Sequence, residues 1–248
     1  MMNLITFSLV SVLVFFFSGA LSQDWTNVSL EDFRAKILEL EKVKKPNESF
    51  SVVGEYHFYE QHQGGEPAYS FPLIMRIQPQ KKKVYMEQLG RLMVQNEKML
   101  ITCDTATRQL IVQEPNTSFY KQRMTEDFNP LINSNSKAKY RKSGRMEIYR
   151  LEFPEGGTYK AMELWVNPTK NVIEKYVMFA ERQVKDEFKE EVEYIQPRME
   201  IIYSNYTFGE AVNKQEFPDP QDYFSDLNQL IPTVKYKEFE IIDLRNQD

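Results

Sequence analysis

The chain has 248 residues, with 31 Lys and Arg against 36 Asp and Glu and a formal net charge of −5. That balance excludes a basic nucleic-acid scaffold, whose affinity rests on neutralising phosphates. The 17 Phe, 14 Tyr and 2 Trp supply more aromatic surface than a disordered chain would keep, and the length suffices for one sizeable core.

Residues 1–22 contain no ionisable side chain, and Leu4–Phe17 is a continuous apolar run. It is followed by Ser18-Gly19-Ala20-Leu21-Ser22, which places small residues at the −3 and −1 positions of a cleavage site after Ser22. This reads as a signal peptide at 1–22 that leaves residues 23–248 as a single exported domain. A membrane anchor is the alternative, but the run is shorter than the roughly 20 apolar residues that span a bilayer. The leading Met1-Met2-Asn3 carries no Lys or Arg, a departure from the usual export pattern. The expected location is periplasmic or secreted.

Ser29 is a candidate N-cap with Asp32 three residues on, and Leu30, Phe33, Ile37, Leu38 and Leu40 follow at helical spacing. The helix is expected to end near Lys44-Lys45-Pro46, because proline cannot continue it. From Phe50 the period becomes two, and Phe50, Val52, Tyr56 and Phe58 alternate with polar residues up to Gly64-Gly65. In the next strand Phe71, Leu73, Met75 and Ile77 share a face.

Short strands are then predicted at Val84–Gln88, Leu92–Gln95, Met99–Cys103 and Gln109–Gln113, with turns between them at Leu89-Gly90-Arg91, Gln95-Asn96-Glu97 and Asp104–Thr107. Asn129–Ser143 is polar and reads as a long connection or a short helix plus a loop. Strands resume at Met146–Phe153, Tyr159–Val166, Val172–Ala180 and Met199–Tyr206, the second carrying Met162, Leu164 and Val166 on one face. The charged run Lys185–Glu193 reads as a solvated excursion in a long hairpin. Asp222–Leu230 suggests a helical turn or two, and Tyr236–Leu244 a last strand.

Many closely spaced strands with one long amphipathic helix predict an α+β fold, built on a curved antiparallel sheet. A long twisted sheet tends to curl around the helix into an unclosed half-barrel with a helical lid.

Catalytic signatures are missing. There is no G-x-S-x-G, G-x-G-x-x-G, Walker loop or H-E-x-x-H, and the two histidines, His57 and His62, stand five apart on a strand-like segment, which would send them to opposite faces. No cofactor and no metal site are expected. Cys103, the single cysteine, lies in a strand-like run and reads as a buried structural thiol, so no intrachain disulfide can form. Sequons at Asn27, Asn47, Asn116 and Asn205 would matter only in a host that glycosylates.

The order of elements over residues 25–245 resembles the LolA-like family of periplasmic lipoprotein carriers. The resemblance is carried by the helix after the signal peptide, by Tyr69–Ile77, by Leu92–Asp104 with Arg108–Val112 after it, and by Tyr159–Ile173 with Lys175. Pro197–Asn205 is similar to the late strand of a LolA-like branch found in one group of Gram-negative bacteria. The acidic excursion at Lys185–Glu193 departs from the family pattern. The resemblance implies an unclosed β-barrel with helices as a lid, and a carrier rather than an enzyme.

Together these readings point to an exported, non-enzymatic carrier of an acyl chain, lipid or lipoprotein. Its site would be an apolar cavity lined by Phe58, Phe71, Leu73, Met75, Ile77, Met162, Leu164 and Val166. Burying each methylene contributes about 0.8 kcal/mol, so a chain of about 14 could contribute ~11 kcal/mol before ordering costs. The 11 methionines suit irregular apolar ligands. The partners would be lipid or lipoprotein acyl chains and a membrane-associated donor or acceptor protein. A protein-recognition or signalling module of the same fold, and a secreted hydrolase using scattered carboxylates, remain open at this point.

Overall fold

The computed structural model describes residues 24–41, 47–121, 132, 134–185 and 192–245. The expected export signal, the expected helix end at Lys44–Pro46 and most of the acidic excursion lie outside those residues.

The amphipathic segment forms α1, Leu30–Glu41. The Ser29 hydroxyl caps it as expected, accepting the Asp32 N–H at 3.0 Å and donating to the Asp32 carboxylate at 2.6 Å. Phe33, Ile37 and Leu40 are buried, but Leu38, expected on the same apolar face, is 47% exposed. The Phe33–Ile37–Leu40 stripe, with Leu30 at its edge, packs on the sheet.

The first strands are β1 (Thr26–Val28), β2 (Phe50–Tyr59), β3 (Tyr69–Gln78), β4 (Lys83–Gln88), β5 (Arg91–Gln95), β6 (Leu100–Asp104) and β7 (Gln109–Gln113). They are followed by β8 (Lys137–Ser143), β9 (Met146–Glu152), β10 (Tyr159–Asn167), β11 (Val172–Ala180), β12 (Arg182–Lys185), β13 (Val192–Ile195) and β14 (Arg198–Phe208). The chain closes with β15 (Phe224–Asp226), β16 (Ile231–Pro232) and β17 (Glu240–Asp243). Among the described residues one 13-stranded sheet has the order β1-β8-β9-β10-β11-β14-β2-β3-β4-β5-β6-β7-β17. Its edges, β1 and β17, do not pair with each other, so the sheet is an unclosed, curved half-barrel around α1.

Two meanders compose this sheet, β2 to β7 and β8 to β11, and β14 joins them by pairing with both β11 and β2. Two-residue turn chemistry holds the first meander together: Leu89 and Gly90 between β4 and β5 both have positive φ, 51° and 75°, as a type I′ hairpin turn requires. The β14–β2 pairing carries a bulge between Tyr203 and Asn205. Opposite it stands Gly54, where a Cβ would lie 2.5 Å from the Ile202 carbonyl oxygen, so the close approach of the two backbones requires glycine.

Four differences from the sequence reading have local causes. The polar connection at Asn129–Ser143 contains a strand, β8, whose alternation is masked by lysines on its outer side. The charged run sits in a hairpin as expected, but its ends are strand, with Lys185 of β12 paired to Val192 of β13. Asp222–Leu230 holds a strand, β15, preceded by a single 3-10 turn at Pro220–Asp222 with a capping box on Asp219. The last strand is shorter than expected and pairs parallel with β7, the one parallel pair in the sheet.

Cross-strand pairing gives the sheet two distinct faces. The inner face packs on α1 through a cluster that includes Phe33, Ile37, Leu73, Leu151, Met162, Leu164 and Val166. It continues into a second cluster of Phe50, Val52, Ile77 and Val84, with Tyr203 packed against both. The outer face carries its apolar cluster at the β4 to β7 end. There Val94, Ile101, Cys103, Leu110 and Val112 meet Tyr223, Phe224, Leu230 and Tyr236 from the C-terminal segment.

Candidate functional site

All eight residues expected to line a cavity stand on the inner face, because the strand registers align their parity. One cross-strand row runs Leu151, Met162, Met178, Met199, Phe58, Tyr69 across β9, β10, β11, β14, β2 and β3. The adjacent row runs Tyr149, Leu164, Tyr176, Ile201, Tyr56, Phe71. Rings adjoin along these rows, with Phe58 edge-on to Phe71 at 6.1 Å and stacked on Tyr56 at 6.3 Å.

Burial is graded along the first row. Leu151 and Met162 are fully covered, Met178 is 7% exposed, Met199 and Phe58 are half-buried, and Tyr69 is 65% exposed. Leu73, Met162, Leu164 and Val166 thus belong to the core beneath α1, and Ile77 is equally sealed in the neighbouring cluster with Met75 at its edge. Phe58 and Phe71 form the half-buried rim. The sequence reading set Tyr56 on the face of Phe58 without counting it as lining, and did not single out Met178 and Met199, although alternation within β11 and β14 gives both the inward parity. Burial raises the phenol pKa values of Tyr56, Tyr203 and Tyr206 above the usual tyrosine range, so this face presents neutral rings. The Tyr206 hydroxyl donates to the Ile173 carbonyl at 2.7 Å.

The β8 to β14 half of the outer face is different in kind. It forms the floor of a groove of about 1070 Å³, walled by Trp25 on one side and by the β2–β3 loop around Gln61–Gly64 on the other. Glu163 accepts from Arg150 at 2.7 Å and from the Trp165 indole at 3.0 Å. Glu200 accepts from Arg198 at 2.8 Å and Lys175 at 3.3 Å. Arg198 also donates to the carbonyls of Gln61 and Gly64 and lies 3.7 Å from the centre of the Tyr59 ring, which fixes the loop to the floor. Sequence reasoning missed this groove. Its residues come from five strands that only tertiary pairing brings side by side.

The histidines are not disposed as the sequence suggested. His62 lies beyond the end of β2, in the loop, where strand parity does not apply; its Nε2 is 2.8 Å from the Ala180 carbonyl oxygen and its ring is edge-on to Phe179. His57 stands between the Glu55 carboxylate, at 3.0 Å, and the Ser70 hydroxyl, at 3.5 Å. That order mimics a nucleophile, base and acid, but the Ser70 contact is at the limit of hydrogen-bond length and on an exposed strand surface, where water competes for the hydroxyl. Cys103 is fully buried, and burial pushes its thiol pKa up, away from the thiolate. Among the described residues no group of three or more His, Cys, Asp or Glu could hold a metal ion, and no helix is long and apolar enough to cross a membrane.

No family model and no curated protein sequence matches the chain. Solved structures do match. A LolA superfamily protein from Nitrosomonas europaea is 11% identical with a TM-score of 0.27, covering 76% of this chain and 96% of its own. A DUF1329 family protein from Desulfovibrio piger is 11% identical with a TM-score of 0.32, covering 81% and 98%. A domain assigned to outer membrane lipoprotein sorting, from Vibrio parahaemolyticus, is 11% identical with a TM-score of 0.27, covering 76% and 95%. Nothing about ligand or partner follows from likeness that distant.

Proposed function

We propose that the protein is an exported, non-enzymatic carrier that takes an acyl chain along the inner-face row ending at Tyr69. The supporting observation is the burial gradient of that row, which continues the covered core at Met162 through Met178 to half-buried Met199 and Phe58. A flexible thioether next to an aromatic rim accommodates an irregular apolar chain at little packing cost. Loading would displace part of the contact between α1 and the sheet, and a membrane-associated donor or acceptor would bias that opening. In this reading residues 23–248 act as one unit in the periplasm or outside the cell.

Leu73 and Leu164 are unsuitable for testing the site, since they are 3% and 1% exposed and a charge there would disrupt the core itself. The rim serves better. The mature chain, from residue 23, is purified, extracted into organic solvent and analysed by mass spectrometry beside the double variant Phe58→Ser/Met199→Gln. A stoichiometric acyl lipid is expected in the parent, reduced at least fivefold in the variant at an unchanged thermal midpoint. A parent free of lipid that also ignores a fluorescent fatty acid would overturn the reading and favour a protein-recognition module.

A further inference from the structure

We infer that the outer-face groove is a binding site for a phosphate-bearing ligand, anchored by Arg141. The groove is lined by five basic side chains, Arg141, Arg150, Lys160, Lys175 and Arg198, and by three carboxylates, while Glu152 and Glu181 pair with Arg150 and Lys160 from its margin. Two of the carboxylates, Glu163 and Glu200, are 5% and 8% exposed and are engaged by the cations already described. Lys160 is held by Glu181 at 2.8 Å. Arg141 differs from the other four, because it forms no ion pair among the described residues and its buried Nε has no hydrogen-bond partner.

The position of Arg141 is nevertheless fixed. Its guanidinium lies 4.3 Å from the centre of the Trp25 ring, and that of Arg150 lies 5.9 Å from the same centre. Both guanidinium groups thus lie within 6 Å of one ring centre, and each is a planar fork of N–H donors of the kind that grips a tetrahedral oxyanion. Arg150 is held by Glu152 and Glu163, as Lys160, Lys175 and Arg198 are held by carboxylates, which leaves Arg141 as the groove cation without an ion pair among the described residues. The volume exceeds what inorganic phosphate fills, which leaves room for the rest of a phosphate ester, either a soluble metabolite or a lipid headgroup. This site is on the opposite face from the acyl row and does not depend on it.

The two tryptophans of the chain, Trp25 and Trp165, both line the groove, so intrinsic fluorescence reports on it directly. The mature protein is titrated with inorganic phosphate and with glycerol 3-phosphate, against chloride at equal ionic strength, and binding is counted by equilibrium dialysis. Flotation with phosphatidylglycerol vesicles, against phosphatidylcholine vesicles, forms the second arm. Saturable binding is expected in one arm or both, weakened at least tenfold in Arg141→Gln and to a smaller extent in Arg141→Lys, which keeps the charge but loses the fork. Binding of the free phosphates identifies a soluble ligand, whereas binding to phosphatidylglycerol vesicles alone identifies a headgroup. No saturable binding in either arm, or a folded Arg141→Gln that binds like the parent, overturns the inference.

Discussion

Asp104, at the end of β6, holds the turn into β7 with one carboxylate. Its Oδ1 accepts the N–H groups of Ala106 and Thr107 at 3.0 and 3.1 Å, and its Oδ2 pairs with Arg91 at 3.1 Å. The Thr107 N–H, and then Arg91, hold its pKa below the ordinary 3.8. A depressed carboxyl pKa contributes stability that is present above the ordinary value and is lost as pH falls through the folded one. Asp104→Asn, which keeps the turn acceptor but not the charge, is therefore expected to have a lower thermal midpoint than the parent at pH 7 and to approach it as the pH falls below the ordinary 3.8 and through the lowered folded-state value. Asp104→Ala should be lower still across that range. The turn at Asp104–Thr107 was legible in the sequence, since Asp favours this local bonding. The Arg91 partner was not, because it lies across a strand pair.

At the scale of elements, α1 is stabilised by a cap that any reader of the sequence could find and by a packing face that depends on the sheet. Phe33 is 1% exposed and Ile37 3%. Phe33→Ala is expected to cost about 3–5 kcal/mol in denaturant unfolding, against about 1 kcal/mol for Ser29→Ala, so packing outweighs capping several-fold. Equal losses would mean that the helix is held locally rather than by the sheet. The strands were legible where alternation is strong, as in β2, β3 and β10. They were missed where it is weak or short, as in the lysine-rich β8 and the three-residue β1. Leu38 shows the same limit in reverse: the sequence reading groups it with the apolar stripe, yet at 3.6 residues per turn it stands about 100° around the helix from Ile37 and is exposed.

For the whole molecule, the two main cores lie on opposite faces of one sheet. The inner cluster contains Phe33, and the outer one contains Tyr236, stacked on Tyr223 at 4.9 Å and edge-on to Phe239 at 5.1 Å. They share no residues, so Phe33→Ala and Tyr236→Ala are expected to add in the double variant to within about 0.5 kcal/mol. A larger coupling in equilibrium unfolding would show that the sheet transmits strain between its faces. The same division separates the proposed acyl row from the phosphate groove, and variants at Phe58 and Met199 should leave Trp25 fluorescence unchanged.

The sequence by itself determined what depends on neighbours within a few residues. It settled the period of each strong segment, hence the inward parity of Phe71, Leu73, Met75 and Ile77 and of Met162, Leu164 and Val166, and it placed the Ser29 cap and the Leu89-Gly90 turn. Only the tertiary structure decided which parities meet. The β14–β2 pairing sets Met199 beside Phe58 across about 140 residues of sequence, and it depends on a bulge opposite Gly54 that no local pattern encodes. The outer groove depends on it equally, for its arginines and glutamates are scattered surface charges until five strands align. Alternation is a property of one backbone, whereas register is fixed by hydrogen bonding and packing between backbones, and the latter turned eight apolar residues of three strands into one face and isolated charges into a site.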